Sequence, residues 1–299
     1  MRKEKLFAAS AALLTILACQ KEPQMGVPSG EPELLPIELS MELQTKASNT
    51  TFDQYDEVGI YVVNYSYGSA NSLQGSGNYY DNVKMTYDYG WTQENQMYWM
   101  DKSTPADFYC YHPYSSTENN ALSHAFETRP DQSLLENYKA SDFLWGKLSG
   151  AAPTKETLSL TTRHILSNIK INLVRGKGFT YERWTNATKS VKVKNVYTDA
   201  DINLSDGRVY PTGMIQDVIP YQTETDAYKA VIVPQTISDG QALVSITVDN
   251  VEFLFKKGFT FVPGKQHNFT IRVNRTGSGI DVGIEDWGND GTDNGGDAE

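Results

Sequence analysis

The residues in this 299-residue sequence whose types could do chemistry are two cysteines, four histidines and a surplus of carboxylates. Spacing decides what they can do. His112, His124, His164 and His267 show no metal-ligand spacing among themselves. No glycine-rich phosphate loop follows a strand pattern, and no nucleophile-elbow motif occurs. The 37 acidic residues include no pair whose spacing selects it for glycoside hydrolysis. Cys110 alternates with Phe108 in DFYCYHPY and reads as a small buried hydrophobe, not a nucleophile. The expectation is no catalytic residue, no cofactor and no metal.

Cys19 is different. It closes MRKEKLFAASAALLTILAC, in which Arg2, Lys3 and Lys5 precede an apolar stretch from Leu6 to Ala18. As a helix that stretch would span about 20 Å, short of the roughly 30 Å hydrocarbon core of a bilayer. It suits a secretory signal peptide. The closing Ile16-Leu17-Ala18-Cys19 resembles a bacterial lipobox, with small Ala18 before a thiol able to take a diacylglyceryl group. Each buried CH₂ contributes about 0.8 kcal/mol, and stable anchoring needs more than one chain; a triacylated cysteine, carrying chains such as palmitate, would supply it. An ordinary signal peptide with an incidental cysteine is the alternative. QKEPQ after the cysteine reads either as a surface-export signal or as a solvated spacer.

The elements that would position any site are strands. Removing residues 1–18 takes three basic residues from 26 and one acidic residue from 37, so the mature chain carries about −13. That balance argues against nucleic acid as a partner. Residues 19–36, with four prolines in QKEPQMGVPSGEPELLP, read as a tether. From residue 37 the pattern has period two: IELSMELQ, EVGIYVV, DFYCYHPY, IKINLV, SVKVKNV, AVIVP, ALVSITVDNVEFLFKK, HNFTIRV and GIDVGI. Helix is expected only as a turn or two in DQSLLENYKA. The fold class is therefore all-β. The length suggests two domains, 37–153 and 154–288, meeting in SGAAPTK, with an acidic glycine-rich tail, 289–299, reading as disordered. Tyrosine-rich 64–82 reads as a surface hairpin or loop. With Trp91 or Trp99 it could stack on sugars, so a monomeric glycan-binding surface lipoprotein is the competing reading; strands also simply favour aromatics.

Several blocks together resemble the fimbrillin family of Bacteroidales, subunits of type V pili. They are TFDQYDEVGIYVV, ADFYCYHPY with Cys110 where alanine is common, SDFLWG, and LSLTTRHILSNIKINL with Thr162 where phenylalanine is frequent. AVIVPQTISDGQALVSITV, FTFVPGKQHNFTIRV and GIDVGIEDWG follow in family order. The resemblance implies two tandem transthyretin-like β-sandwiches, export as an outer-membrane lipoprotein to the cell surface, and no enzyme activity. It also implies polymerisation with other fimbrial subunits, adhesion to host or bacterial surface glycans or proteins, and a trypsin-like protease as processing partner. In such assembly an N-terminal strand is cut away and a neighbour's strand fills the groove. On that reading the cut falls between Lys46 and Ala47, after the strand carrying Ile37, Leu39, Met41 and Leu43. An ordinary solvated Lys46 is the alternative. The donor strand would carry Ile280, Val282 and Ile284.

Overall fold

The structure, a computed structural model, describes residues 34–44 and 51–275 in full and residues 296–298 as backbone. Cys19, Lys46, Ala47, Ile280, Val282 and Ile284 lie outside the described residues.

The period-two stretches form strands where turn residues bracket them. First come β1 (Leu39–Leu43), β2 (Glu57–Ser66), β3 (Ser69–Ala70), β4 (Tyr80–Tyr87), β5 (Trp91–Gln93) and β6 (Ala106–His112). Then follow β7 (His124–Glu127), helix α1 (Leu135–Ala140), β8 (Leu144–Ala151) and β9 (Leu158–His164). All of these strands except β7 form one eight-stranded sheet, ordered β1-β9-β8-β6-β2-β4-β5, with β3 attached to β2. The 64–82 region is thus a hairpin plus a loop, with Leu73 buried and the Gly75 carbonyl accepting from Ala121 N–H.

The sheet curls until its ends nearly meet. Past β5, Ile37 N–H donates to the Met97 carbonyl and Trp99 N–H donates to that of Leu35, each at 2.9 Å. The enclosed core gathers Ile37, Leu39, Met41, Val58, Ile60, Phe108 and Leu160. Closing a sheet on itself removes its edges, and here β1 is the strand at the join. Gly146 allows β8 to lie close to β9, because a Cβ there would collide with the Thr161 carbonyl.

The second half supplies β10 (Ser167–Arg175), α2 (Tyr181–Asn186), β11 (Lys189–Asn203), β12 (Arg208–Val218), β13 (Tyr221–Glu224) and β14 (Ala227–Ile232). It continues with β15 (Thr236–Ile237), β16 (Ala242–Val248), β17 (Val251–Lys256), β18 (Phe259–Thr260), β19 (Gln266–Val273) and β20 (Gly296–Ala298). One sheet runs β13-β14-β10-β19-β20, another β12-β11-β16-β17 with β7 on β11, and β15 pairs with β18. The two larger sheets share a core of Ile169, Ile171, Val191, Val193, Phe253 and Phe269. The β16–β17 hairpin turns on Asp249 and Asn250, both at positive φ (47° and 66°), as a type I′ turn requires. The all-β expectation holds. Residues 296–298, expected within a disordered tail, instead pair in parallel with β19.

The seam expected near residue 154 falls in the connection between β8 and β9, two neighbours in one sheet. The chain leaves that sheet at Ile165 and Leu166, both fully buried. A third cluster joins Tyr61, Tyr111 and Trp145 of the first sheet to Ala200 and Ile202 of β11 and to Val231 and Val233. The first half also lends β7 to the second, pairing His124 to Glu127 with Ile202 to Asp199.

Two buried glutamines fill gaps in the ladders of the second half. Gln132 donates from Nε2 to the Val231 carbonyl and accepts from Val231 N–H, both at 2.8 Å. Gln235 does the same for Tyr197, at 3.1 and 2.8 Å. Each amide imitates one residue of a missing strand. Leaving two buried main-chain groups unpaired is costly, so Gln132→Leu should destabilise the protein by about 2 kcal/mol in urea unfolding. An unchanged midpoint would show that water replaces the amide freely.

His124, at the start of β7, is buried against Tyr111 and Phe143, with Nδ1 2.7 Å from Glu118 Oε2. Burial holds its pKa down, at about 4 against an ordinary 6.5, and pushes that of Glu118 up. The unfolded chain binds the His124 proton near pH 6.5 and the folded chain only near 4. His124 therefore contributes stability that is present above pH 6.5 and lost as pH falls towards 4. Glu118 acts oppositely: its contribution is full at low pH and fades as pH rises through its folded value. His124→Gln should flatten the loss of stability between pH 6.5 and 4. An acid limb identical to that of the unsubstituted protein would rule the assignment out.

Candidate functional site

Among the described residues, no group of three or more His, Cys, Asp or Glu is placed to hold a metal ion. The histidines serve the fold instead. His112 Nδ1 lies 2.9 Å from the Glu57 carbonyl, His164 Nδ1 lies 2.7 Å from Asp142, and His267 Nε2 accepts from Val262 N–H at 3.0 Å. Cys110 is buried in the first core, and burial pushes its thiol pKa up, away from the thiolate a nucleophile needs. Trp99 is 2% exposed and packs edge-on against Phe108, so it is no platform for a sugar ring, which removes it from the competing glycan-binding reading. Trp91 is half-buried against Phe52. Tyr67, at the tip of the β2–β3 hairpin, is the exposed aromatic of the 64–82 region.

The distinctive site is the seat of β1. Alternation puts Ile37, Leu39 and Met41 into the first core at 0%, 4% and 4% exposure, with Leu35 and Leu43 partly buried beside them. Glu38 and Glu42 alternate outward, towards solvent. A period-two strand at the join of a curled sheet can only be accommodated this way round, since a one-residue slip would bury both glutamates.

The two edges of β1 are held differently. On one side it runs parallel to β9, with Leu39 opposite Leu158 and Leu43 opposite Thr162. The even-numbered carbonyls face that side: Leu158 N–H donates to Glu38 O at 2.9 Å, and Thr162 Oγ1 donates to Glu42 O at 3.1 Å. Thr162 thus works through its hydroxyl. The odd-numbered carbonyls face β5, where side chains meet them. Gln93 Nε2 donates to Ile37 O at 2.6 Å, Gln96 Nε2 to the same oxygen at 3.2 Å, and Trp91 Nε1 to Met41 O at 3.3 Å. Gln93 Oε1 in turn accepts from Met97 N–H at 2.8 Å, which fixes the amide orientation.

The arrangement is a slot for one extended strand: apolar on its floor, a main-chain ladder with the Thr162 hydroxyl along one wall, and along the other side-chain amide and indole donors beside the two main-chain bonds to Met97 and Trp99. Of the residues read from the sequence, Ile37, Leu39, Met41 and Leu43 come together here. Sequence reasoning missed Gln93 and Gln96 and gave Trp91 and Thr162 no part in the slot, because residues at a strand end carry no signal of what they will face.

A family model described as fimbrillin-like matches residues 45–287. No curated protein matches the chain. Among solved structures, a cell-adhesion candidate from Bacteroides uniformis is 20% identical, with a TM-score of 0.64 over 85% of this chain and 99% of its own. Another from Bacteroides ovatus is 12% identical, with a TM-score of 0.64 over 80% and 92%. A fimbrial protein from Bacteroides ovatus is 17% identical, with a TM-score of 0.51 over 86% of this chain and 53% of its own. At these identities the likeness is one of fold.

Proposed function

This chain belongs to the fimbrillin-like family, and on that premise we propose that it is a subunit of surface fimbriae polymerised by exchange of β1 for a strand from another subunit. The role is of the fimbrial or adhesin type, at the cell surface. In our reading the precursor crosses the envelope as a lipoprotein acylated at Cys19 and anchored in the outer membrane. A trypsin-like protease cuts between Lys46 and Ala47. β1 leaves, and Ile280, Val282 and Ile284 of another subunit enter in its place. In this reading the two β-rich halves, each with a core of its own, act as tandem units along the fibre.

The observation that carries this reading is the seat of β1. Ile37, Leu39 and Met41, in and just before β1, are buried, yet the stretch precedes Lys46 by only a few residues, and on the β5 side it is held by two main-chain bonds and the Trp91, Gln93 and Gln96 side chains. Removing such a strand exposes an apolar slot and unpaired main-chain groups, and a new strand repairs both.

Lys46→Ala, made in the native host, should leave uncut lipoprotein on the cell and no filaments in sheared surface material. Normal filaments from that variant would exclude Lys46 as the trigger. Cys19→Ser should abolish acyl labelling and membrane retention; labelling that persists would exclude the anchor.

A further inference from the structure

We infer that Gln93, Gln96 and Trp91 are the residues by which the slot reads an incoming strand, and that they read its main-chain carbonyls, not its side chains. The occupant is an extended strand of a second copy of this chain, running parallel to β9, with apolar residues at three alternate positions. The inference rests on the strand-exchange reading above and names the partner and the contacts that reading leaves open.

The argument starts from register. In an extended strand, successive carbonyls point to opposite edges. The β9 ladder takes those of Glu38 and Glu42, so those of Ile37 and Met41 must find partners on the β5 side. They find them in the Gln93 and Gln96 amides and the Trp91 indole N–H, at two points four residues apart. A carbonyl is present at every residue of every strand, so this wall does not discriminate by sequence. It does discriminate by direction: reversing the strand moves the carbonyls out of register with both walls, because parallel and antiparallel ladders space them differently. Sequence enters only through the floor, which accepts Ile37, Leu39 and Met41 at positions i, i+2 and i+4. Ile280, Val282 and Ile284 repeat that spacing within the same chain. A second copy can therefore satisfy both walls and the floor, which commits the slot to a copy of this chain as occupant.

Trp91 is also packed edge-on against Phe52, with ring centroids 4.9 Å apart. Phe52 follows the segment containing Lys46, so the donor wall is braced by the residues next to the proposed cut.

The test uses the full chain carrying a specific protease site inserted within residues 45–50, cut but with both pieces retained. Fluorescent peptides of residues 34–44 and 279–287, and a version of 34–44 with Leu39 and Met41 changed to Asp, are exchanged into it and followed by anisotropy. Both native-sequence peptides should enter and the Asp-bearing one should not, because only the floor reads side chains. Gln93→Met and Trp91→Phe keep bulk and remove donors; each should weaken both peptides by about tenfold, the loss of one hydrogen bond to a desolvated carbonyl. In the uncut variants, hydrogen exchange should quicken in β1 while β2 and β6 stay protected, so the inference can be read with β1 still attached. If the unsubstituted cut protein takes up neither native-sequence peptide, the strand-exchange reading fails and this inference with it. If it takes them up but the two variants bind equally tightly, with unchanged exchange in β1, or if the Asp-bearing peptide enters as well, the inference alone is overturned.

Discussion

Once cut between Leu43 and Phe52 and stripped of β1, the protein should lose about 5–9 kcal/mol of stability, from three buried side chains at roughly 1.5–3 kcal/mol each. Ile37, Leu39 and Met41 are the contributors. The figure is an upper range, because an unfolded chain already buries some apolar surface. It is still comparable to the whole stability of an ordinary domain. Urea unfolding of cut-and-stripped against uncut protein should show a large drop in midpoint, and adding the peptide of residues 34–44 should reverse most of it. Equal midpoints would mean that the slot collapses when empty, and a collapsed slot has no drive to take a donor. Leu39→Asp in the uncut chain should show the same dependence at smaller scale, since it buries one carboxylate in the first core while β9 still pairs with the main chain.

Asp226→Asn should cost about 3 kcal/mol, near the lower end of what breaking a buried ion pair does. Lys189 is only 6% exposed at its side chain, and its ammonium lies 2.7 Å from Asp226 Oδ1. The other carboxylate oxygen accepts from Trp184 Nε1–H at 2.8 Å, and the Lys189 ammonium sits 4.3 Å above the Trp184 ring. Asp226 also holds a turn, at φ 99°, where its carbonyl accepts from Leu173 N–H at 2.8 Å. Asparagine tolerates that backbone and keeps one acceptor, so the substitution isolates the charge. It leaves Lys189 buried without its counter-ion. Adding Lys189→Met should recover most of the loss, and a double variant no more stable than Asp226→Asn would show that the turn, not the pair, carries the effect.

Much of this fold is legible in the residues, and the illegible part has a common cause. EVGIYVV and DFYCYHPY become β2 and β6 because both faces of those strands are buried, one in each of two cores, which is why they read as nearly continuous apolar runs. ALVSITVDNVEFLFKK declares its hairpin through Asp249 and Asn250. The six residues of α2 are too short for a helical period to show, and their one signal is Thr180, whose side chain accepts from Arg183 N–H. The passage of β7 to β11 and the parallel pairing of β1 with β9 depend on partners far along the chain. Local pattern is silent on such partners. Gln93, Gln132 and Gln235 look like loop residues in TQEN-, RPDQ- and VPQT-type contexts, and their meaning appears only once a strand is found to be missing beside them. The slot was therefore half visible: its apolar occupant could be read, its walls could not.

The parallel pairing of β1 with β9 also orders events in time. The Thr162 hydroxyl and the Glu42 carbonyl that it meets are 120 residues apart in the chain. Closing a loop of that length costs roughly 4 kcal/mol in chain entropy before any contact repays it, and contacts so distant in sequence form late. The β2–β4 and β2–β6 ladders are far more local and can assemble first. The β5-side contacts of β1 span only 50 to 59 residues, so the β9 wall is the one expected to close last. A protease that frees β1 then undoes first the contact that the chain is expected to make last.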